Sequence, residues 1–181
     1  PLQVLATNLR TLDLPGLSWG EVYHGFALGV AGQLLAGRYR RILIAGAGKA
    51  AYPMAQAAVD ILGARISSGL LITKTGHAPA LELPHGVRLR EAGHPLPDPR
   101  GEAAALELAS LLEQAGPDDL VLCLLSGGGS ALMPAPVSPI TLTELQQTTA
   151  ALLACGADIT QINILRKHLD RLKGGGLARL A

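Results

Sequence analysis

The run Ser126-Gly127-Gly128-Gly129-Ser130 directly follows the apolar stretch DLVLCLL. Three glycines between two serines suit neither a strand nor a helix. They suit a tight loop in which successive N–H groups turn into one small volume, with no Cβ to block an approaching anion. Two hydroxyls would add donors. The chemistry is phosphate binding; a plain tight turn is the alternative. A second glycine pair, Gly46 and Gly48, brackets Ala47 and is followed at once by Lys49. The spacing of G-A-G-K-A-A is not that of a P-loop, G-x-x-x-x-G-K-[ST]. It is close to the G-x-G-x-x-A of dinucleotide folds, but no acidic residue ends the next strand GLLIT to hold a ribose. Lys49 is the informative residue. An ammonium in the first turn of a helix opposes the dipole at about 0.3–1 kcal/mol, a cost an anion would offset.

A third cluster comprises Asn163, Arg166, Lys167, His168, Asp170, Arg171 and Lys173, followed by Gly174-Gly175-Gly176. Read as one helix over 162–173, it places Asn163, Arg166, Lys167 and Asp170 on one face. Arg166 with Asp170 could equally be a surface ion pair. Lys173 and the glycines after it form another candidate anion nest. His94 sits in the proline loop G-H-P-L-P-D-P-R beside Asp98 and is either site-facing or plain polar surface; His77, after T-K-T-G, is equally open. No His/Cys/Asp/Glu set has the spacing of a tight metal site. Residues 124–128 read L-L-S-G-G, which is not the G-x-S-x-G elbow of a serine hydrolase.

These groups need a scaffold. The chain of 181 residues is 49% hydrophobic but 3% aromatic, so the core must be aliphatic. RRILIAG at 40–46, GLLIT at 69–73 and 120–125 read as short buried strands, and 86–91 as a less buried one. Residue 120–125 is the most hydrophobic of them. Helices are expected over most of the first 40 residues (Val22, Phe26, Val30 and Leu34, closed by Gly37), over 51–62 with Gly63 as cap, over 101–114, over 141–155 from a Thr141/Glu144 capping box, and over 162–173. The segment 93–100 is expected to be a loop. Strands alternating with helices imply an α/β fold, a Rossmann-like parallel sheet with helices on both faces. A net charge of +1 gives no reason to expect a nucleic-acid partner. No apolar run reaches membrane-spanning length. Cys123 and Cys155 form no disulfide or metal pattern, so a cytoplasmic setting is expected. A first residue other than methionine, and a last segment LARLA that opens a new element after the glycines, suggest a fragment.

Four stretches together resemble a known family. G-A-G-K-A-A (46–51), E-A-G-H-P-L-P-D-P-R-G (91–101), L-S-G-G-G-S-A-L (125–132) and I-N-I-L-R-K-H-L-D-R-L-K-G-G-G-L-A (162–178) are similar, in order, to class II glycerate kinases, whose second domain is called MOFRL. The resemblance implies phosphoryl transfer from ATP to D-glycerate, giving 2-phosphoglycerate, with Mg2+. It implies that residues 1–181 are an incomplete first domain lacking the C-terminal one. On this reading Lys49 and Arg166 are catalytic; Ser126, Gly127, Gly128, Gly129, Ser130, Lys173, Gly174 and Gly175 bind the nucleotide; Gly46, Gly48, His94 and Asn163 bind glycerate; and Asp170 is a metal ligand. Members of the family also carry the label hydroxypyruvate reductase, and a nicotinamide-dependent reductase and a non-catalytic sugar-phosphate binder are the rival readings. Whether the protein forms a homodimer is left open.

Overall fold

The computed structural model describes residues 29–31, 33, 36–78, 83, 84 and 86–181. Most of the expected N-terminal helix, with Val22, Phe26 and Leu34, lies outside the described residues. Four strands form one sheet: β1 (Arg41–Ala47), β2 (Ile66–Lys74), β3 (Val87–Ala92) and β4 (Asp119–Leu125). They lie in the order β3-β2-β1-β4, and every pair is parallel. This is the start of the doubly wound order, in which the chain first builds outward to one side of β1 and then returns to the other.

Helices cover both faces. α1 (Ala51–Leu62) lays Met54, Ala55, Ala58, Val59 and Leu62 on Ile42, Ile44, Leu71 and Leu124. On the opposite face α2 (Pro99–Glu113), α3 (Gly129–Leu132) and α6 (Gly176–Leu180) bring Ala104, Ala105, Leu108, Leu132 and Leu177 to Ala45, Ala47, Leu70 and Ile72. Ala45 and Ala47 of β1 face α2 while Ile42 and Ile44 face α1, as a strand period of two requires. Gly63 caps α1 at φ +52, as expected from the sequence.

Three expectations change. Strand β4 is the least buried of the hydrophobic strands, because among the described residues it pairs only with β1; Val121 and Cys123 are half-buried and Leu125 is 45% exposed. α2 begins inside the proline loop, at Pro99. The Asp98 side chain accepts the Gly101 N–H at 2.8 Å, and proline at the first helical position needs no donor partner. The helix expected over 162–173 is shorter: α5 spans Ile159–Arg166 and follows α4 (Leu142–Ala154). Beyond it, Asp170 bridges Pro136 in antiparallel fashion, with Val137 N–H donating to Leu169 O and Arg171 N–H to Ala135 O. That pairing takes the backbone out of the helix.

The expected capping box is present. Thr141 Oγ1 accepts the Glu144 N–H, and Glu144 Oε2 accepts the Thr141 N–H. At the far end of the sheet Asp119 accepts from Arg41 Nε at 2.8 Å, Arg41 Nη2 at 2.5 Å and Gly116 N–H at 2.8 Å. Its carboxyl is pulled down to about 2, chiefly by the hydrogen bond from Arg41. This pair locks the amino ends of β1 and β4 in register.

Candidate active site

The carboxyl ends of parallel strands are where such sheets bind ligands, at the point where the connections part to opposite sides. Here that point lies between β1 and β4. The loop after β1 and the loop after β4 are joined by three bonds: Ser126 N–H to Ala47 O at 3.0 Å, Lys49 N–H to Gly127 O at 3.0 Å, and Ala50 N–H to Ser126 Oγ at 3.0 Å. Gly48 makes this contact feasible. Its φ is +134, and a Cβ there would stand 2.1 Å from Ser126 Oγ. The sequence's two separate glycine loops are thus one structure. Lys49 is exposed and lies in the turn ahead of α1, not in its first turn, so it does not oppose the helix dipole as the sequence suggests.

Gly46 departs from expectation. It is an interior residue of β1, where a Cβ would meet Leu71 Cδ2 at 2.5 Å. Its role is packing, and it does not line the loop. In the second loop, Gly128 has φ +89 and leads into α3. The N–H groups of Gly127 and Gly128 have no acceptor among the described residues, and Gly127 is exposed. They are free donors at the sheet's mouth.

The third strand exit adds His94. Its Cδ2–Nε2 edge packs on Gly128; a Cβ at that glycine would lie 2.9 Å from both atoms. Burial, then the positive charges of Lys49, Lys74 and His77, hold its imidazole below the ordinary histidine range. Lys74 ends β2, and His77 N–H donates to Lys74 O. The sequence reading passes over Lys74; the signal that finds it is its position at the end of the strand beside β1.

The glycine runs 126–130 and 174–176 are distant in sequence but share a cavity of about 430 Å3, lined among others by Ser126, Gly129, Ser130, Lys173, Gly174 and Gly175. Its remaining wall is apolar, from Cys123, Leu125, Met133, Leu172 and Leu177. Burial raises the Cys123 thiol above its usual range. Burial also lowers Lys173, although the neighbouring Asp170 carboxylate opposes this. Arg166 Nη2 donates to Ser130 O at 3.3 Å, which brings α5 to the same loop. Asn163 is exposed on α5 and makes no contact that ties it to the site.

Asp170 does not share a helix face with Arg166, and it does not fit a metal ligand. Its buried carboxylate accepts the Ala135 N–H at 2.9 Å, the Leu172 N–H at 3.0 Å and the Lys173 ammonium. It is the clip that holds 167–173 against 133–136. The described residues contain no group of three His, Cys, Asp or Glu side chains able to hold a metal ion. A larger cavity, about 640 Å3, lies along the amino end of β4 between Tyr39, Asp119 and Arg179. It contains none of the candidate site residues named from the sequence and lies away from the strand exits.

Comparisons with known proteins agree with this geometry. A D-glycerate 2-kinase from Thermotoga maritima is 43% identical over 139 residues, covering 76% of this chain and 33% of that protein. An Agrobacterium vitis protein that carries a hydroxypyruvate reductase name is 45% identical over 143 residues, 78% of this chain and 32% of its own. The crystal structure of a glycerate kinase from Thermotoga maritima superposes with a TM-score of 0.73 at 37% identity, covering 87% of this chain and 39% of that one. The chain spans about a third of the length of the curated relatives it matches. The family described as "Domain of unknown function (DUF4147)" matches residues 23–181. With that match over most of its length, and with the sheet order and loops described above, the chain belongs to the DUF4147 family.

Proposed function

We propose that the protein carrying this chain transfers the γ-phosphoryl group of ATP to D-glycerate, yielding 2-phosphoglycerate. The observation that carries this reading is the shared cavity: two glycine runs, one lysine and an apolar wall meet at the carboxyl end of β4. Its size suits a nucleoside. The base takes the apolar wall of Met133, Leu172 and Leu177, and the phosphates reach the free N–H groups of Gly127 and Gly128 and the ammonium of Lys173. Glycerate lies on the other side of the loop, its carboxylate against Lys49. Phosphoryl transfer asks mainly for alignment and positive charge, and Lys49, Lys173 and Arg166 supply the charge. Gly48 serves by letting the loops meet.

Mg2+ arrives with the nucleotide and is held through phosphate oxygens and water, as this ion's preference for few protein ligands allows. The two cysteines are free thiols, in keeping with a cytoplasmic protein. No helix among the described residues is long and apolar enough to cross a membrane.

The reductase name of some relatives supplies the opposing reading. Against it, β2 ends in Lys74, where a dinucleotide fold places the ribose-binding acid. The test uses the complete gene product. ADP release with glycerate and ATP, with no oxidation of NADH or NADPH by hydroxypyruvate, is the expected result. Lys49→Ala lowers kcat/KM by about 100-fold or more, with an unchanged circular dichroism spectrum. Cofactor oxidation without ADP release overturns the kinase reading.

A further inference from the structure

This inference rests on the phosphotransfer reading and concerns the proton that the acceptor hydroxyl must lose. We infer that His94 accepts it. As the hydroxyl oxygen bonds to the γ-phosphorus, its hydrogen passes to the imidazole Nε2. The bond from that phosphorus to the β,γ-bridging oxygen breaks, and the electron pair leaves on the diphosphate. The imidazolium later returns the proton to water.

Four observations converge on this residue. Its Cδ2–Nε2 edge is the one that faces the glycine loop, against Gly128. It is half-buried, so a substrate can still reach it. Its loop is held on both sides: the Asp98 carboxylate accepts from the N–H groups of Gly93 and Gly101, and Gln146 Nε2 donates to Pro97 O at 2.6 Å. The carboxylates that flank it in sequence are committed elsewhere. Glu91 Oε1 accepts from Gly76 N–H at 2.8 Å and, more weakly, from Ala78 N–H, while Asp98 caps α2 and pairs with Arg100. A base needs a fixed position, access and a free lone pair, and His94 has all three.

The groups facing it keep that lone pair available at neutral pH. Lys49 after β1, Lys74 at the end of β2 and His77 beyond it are all cationic or can become so. Each disfavours the imidazolium. The two acidic neighbours have their carboxylates engaged elsewhere, Asp98 by Arg100 and Glu91 by the Gly76 N–H. Burial acts in the same direction as the cations. Lys74 is therefore a positioning residue of an electrostatic kind: it acts on the proton affinity of His94.

The experiment follows kcat/KM for glycerate against pH in the complete gene product, for the parent, His94→Gln and Lys74→Met. The parent shows an acidic limb. In His94→Gln that limb is lost and kcat falls by about 100-fold or more, while binding of a fluorescent ATP analogue stays within a factor of three. In Lys74→Met the limb moves to higher pH, because removing a cation raises the histidine. This second variant keeps a readable activity and so stands even if the first folds poorly. An acidic limb that survives in His94→Gln, or one that stays in place in Lys74→Met, overturns the assignment. So does a His94→Gln protein whose loss lies wholly in KM, which marks a carboxylate contact instead. If the parent releases no ADP with glycerate, the phosphotransfer reading falls first and this one with it.

Discussion

At position 48 the backbone has φ +134, a region closed to most side chains, and the space for a Cβ is already taken by Ser126. At position 127 the backbone is unstrained in this sense, and a Cβ would meet nothing within 4 Å. The two glycines thus serve different ends, and substitution separates them. Gly48→Ala destabilises the fold by about 2 kcal/mol or more, from a disfavoured backbone and a clash with Ser126. Gly127→Ala changes stability by less than about 0.5 kcal/mol yet, on the proposed function, raises the KM for ATP, since its methyl group would stand where that proposal brings a phosphate. Denaturant unfolding and steady-state kinetics on both variants check this. A Gly127→Ala protein that is equally stable and binds ATP as before removes the loop from the nucleotide site. Sequence reasoning found both glycines but gave Gly46 the same role. A glycine packed inside a strand and one that opens a loop look alike in a string of letters; only the neighbours Leu71 and Leu124 tell them apart.

Among the elements, α5 and β1 show where local pattern is enough and where it fails. The Thr141/Glu144 capping box and the apolar run of β1 are local features, and each appears where the sequence places it. The end of α5 is not local. Residues 167–173 carry helix-compatible side chains, but Asp170 and the backbone of Leu169 and Arg171 bond instead to the 135–137 segment. Tertiary bonds of that kind outweigh a propensity of a few tenths of a kcal/mol per residue. β1 and β4 are tied at their amino ends by Arg41 and Asp119, and the pH response of this tie has a definite sign. The folded carboxyl sits at about 2, below its unfolded value of 3.8. Its stabilisation is therefore full above roughly pH 4 and is lost as pH falls toward 2. Asp119→Asn lowers stability at pH 7 by about 2 kcal/mol and by much less at pH 2.5. Urea unfolding of parent and variant at both pH values checks this; an equal loss at the two ends assigns the effect to packing.

For the whole molecule, the strand order does the assembling. Placing β4 beside β1 brings residues 126–130 against 47–50, and the bridge from Asp170 to Pro136 then folds 172–178 over the same exit. None of these proximities is visible in one dimension. The sequence shows loops able to bind anions, and the order β3-β2-β1-β4 decides which of them share a site. Among the described residues the same order leaves the most hydrophobic strand, β4, with β1 as its one partner, a placement that hydrophobicity by itself does not report. A single nucleotide in the shared cavity has to touch both glycine runs at once. Hydrogen exchange of the complete gene product with and without ADP should then show slower exchange in 126–130 and in 173–176 together. The Arg41–Asp119 end of the same two strands should be unaffected, since it lies at their opposite, amino ends. Protection confined to the 126–130 loop would place the nucleotide on the Lys49 side of that loop and leave the apolar cavity to another ligand. Protection of both runs in one titration, with a common midpoint, is what a single bound molecule requires.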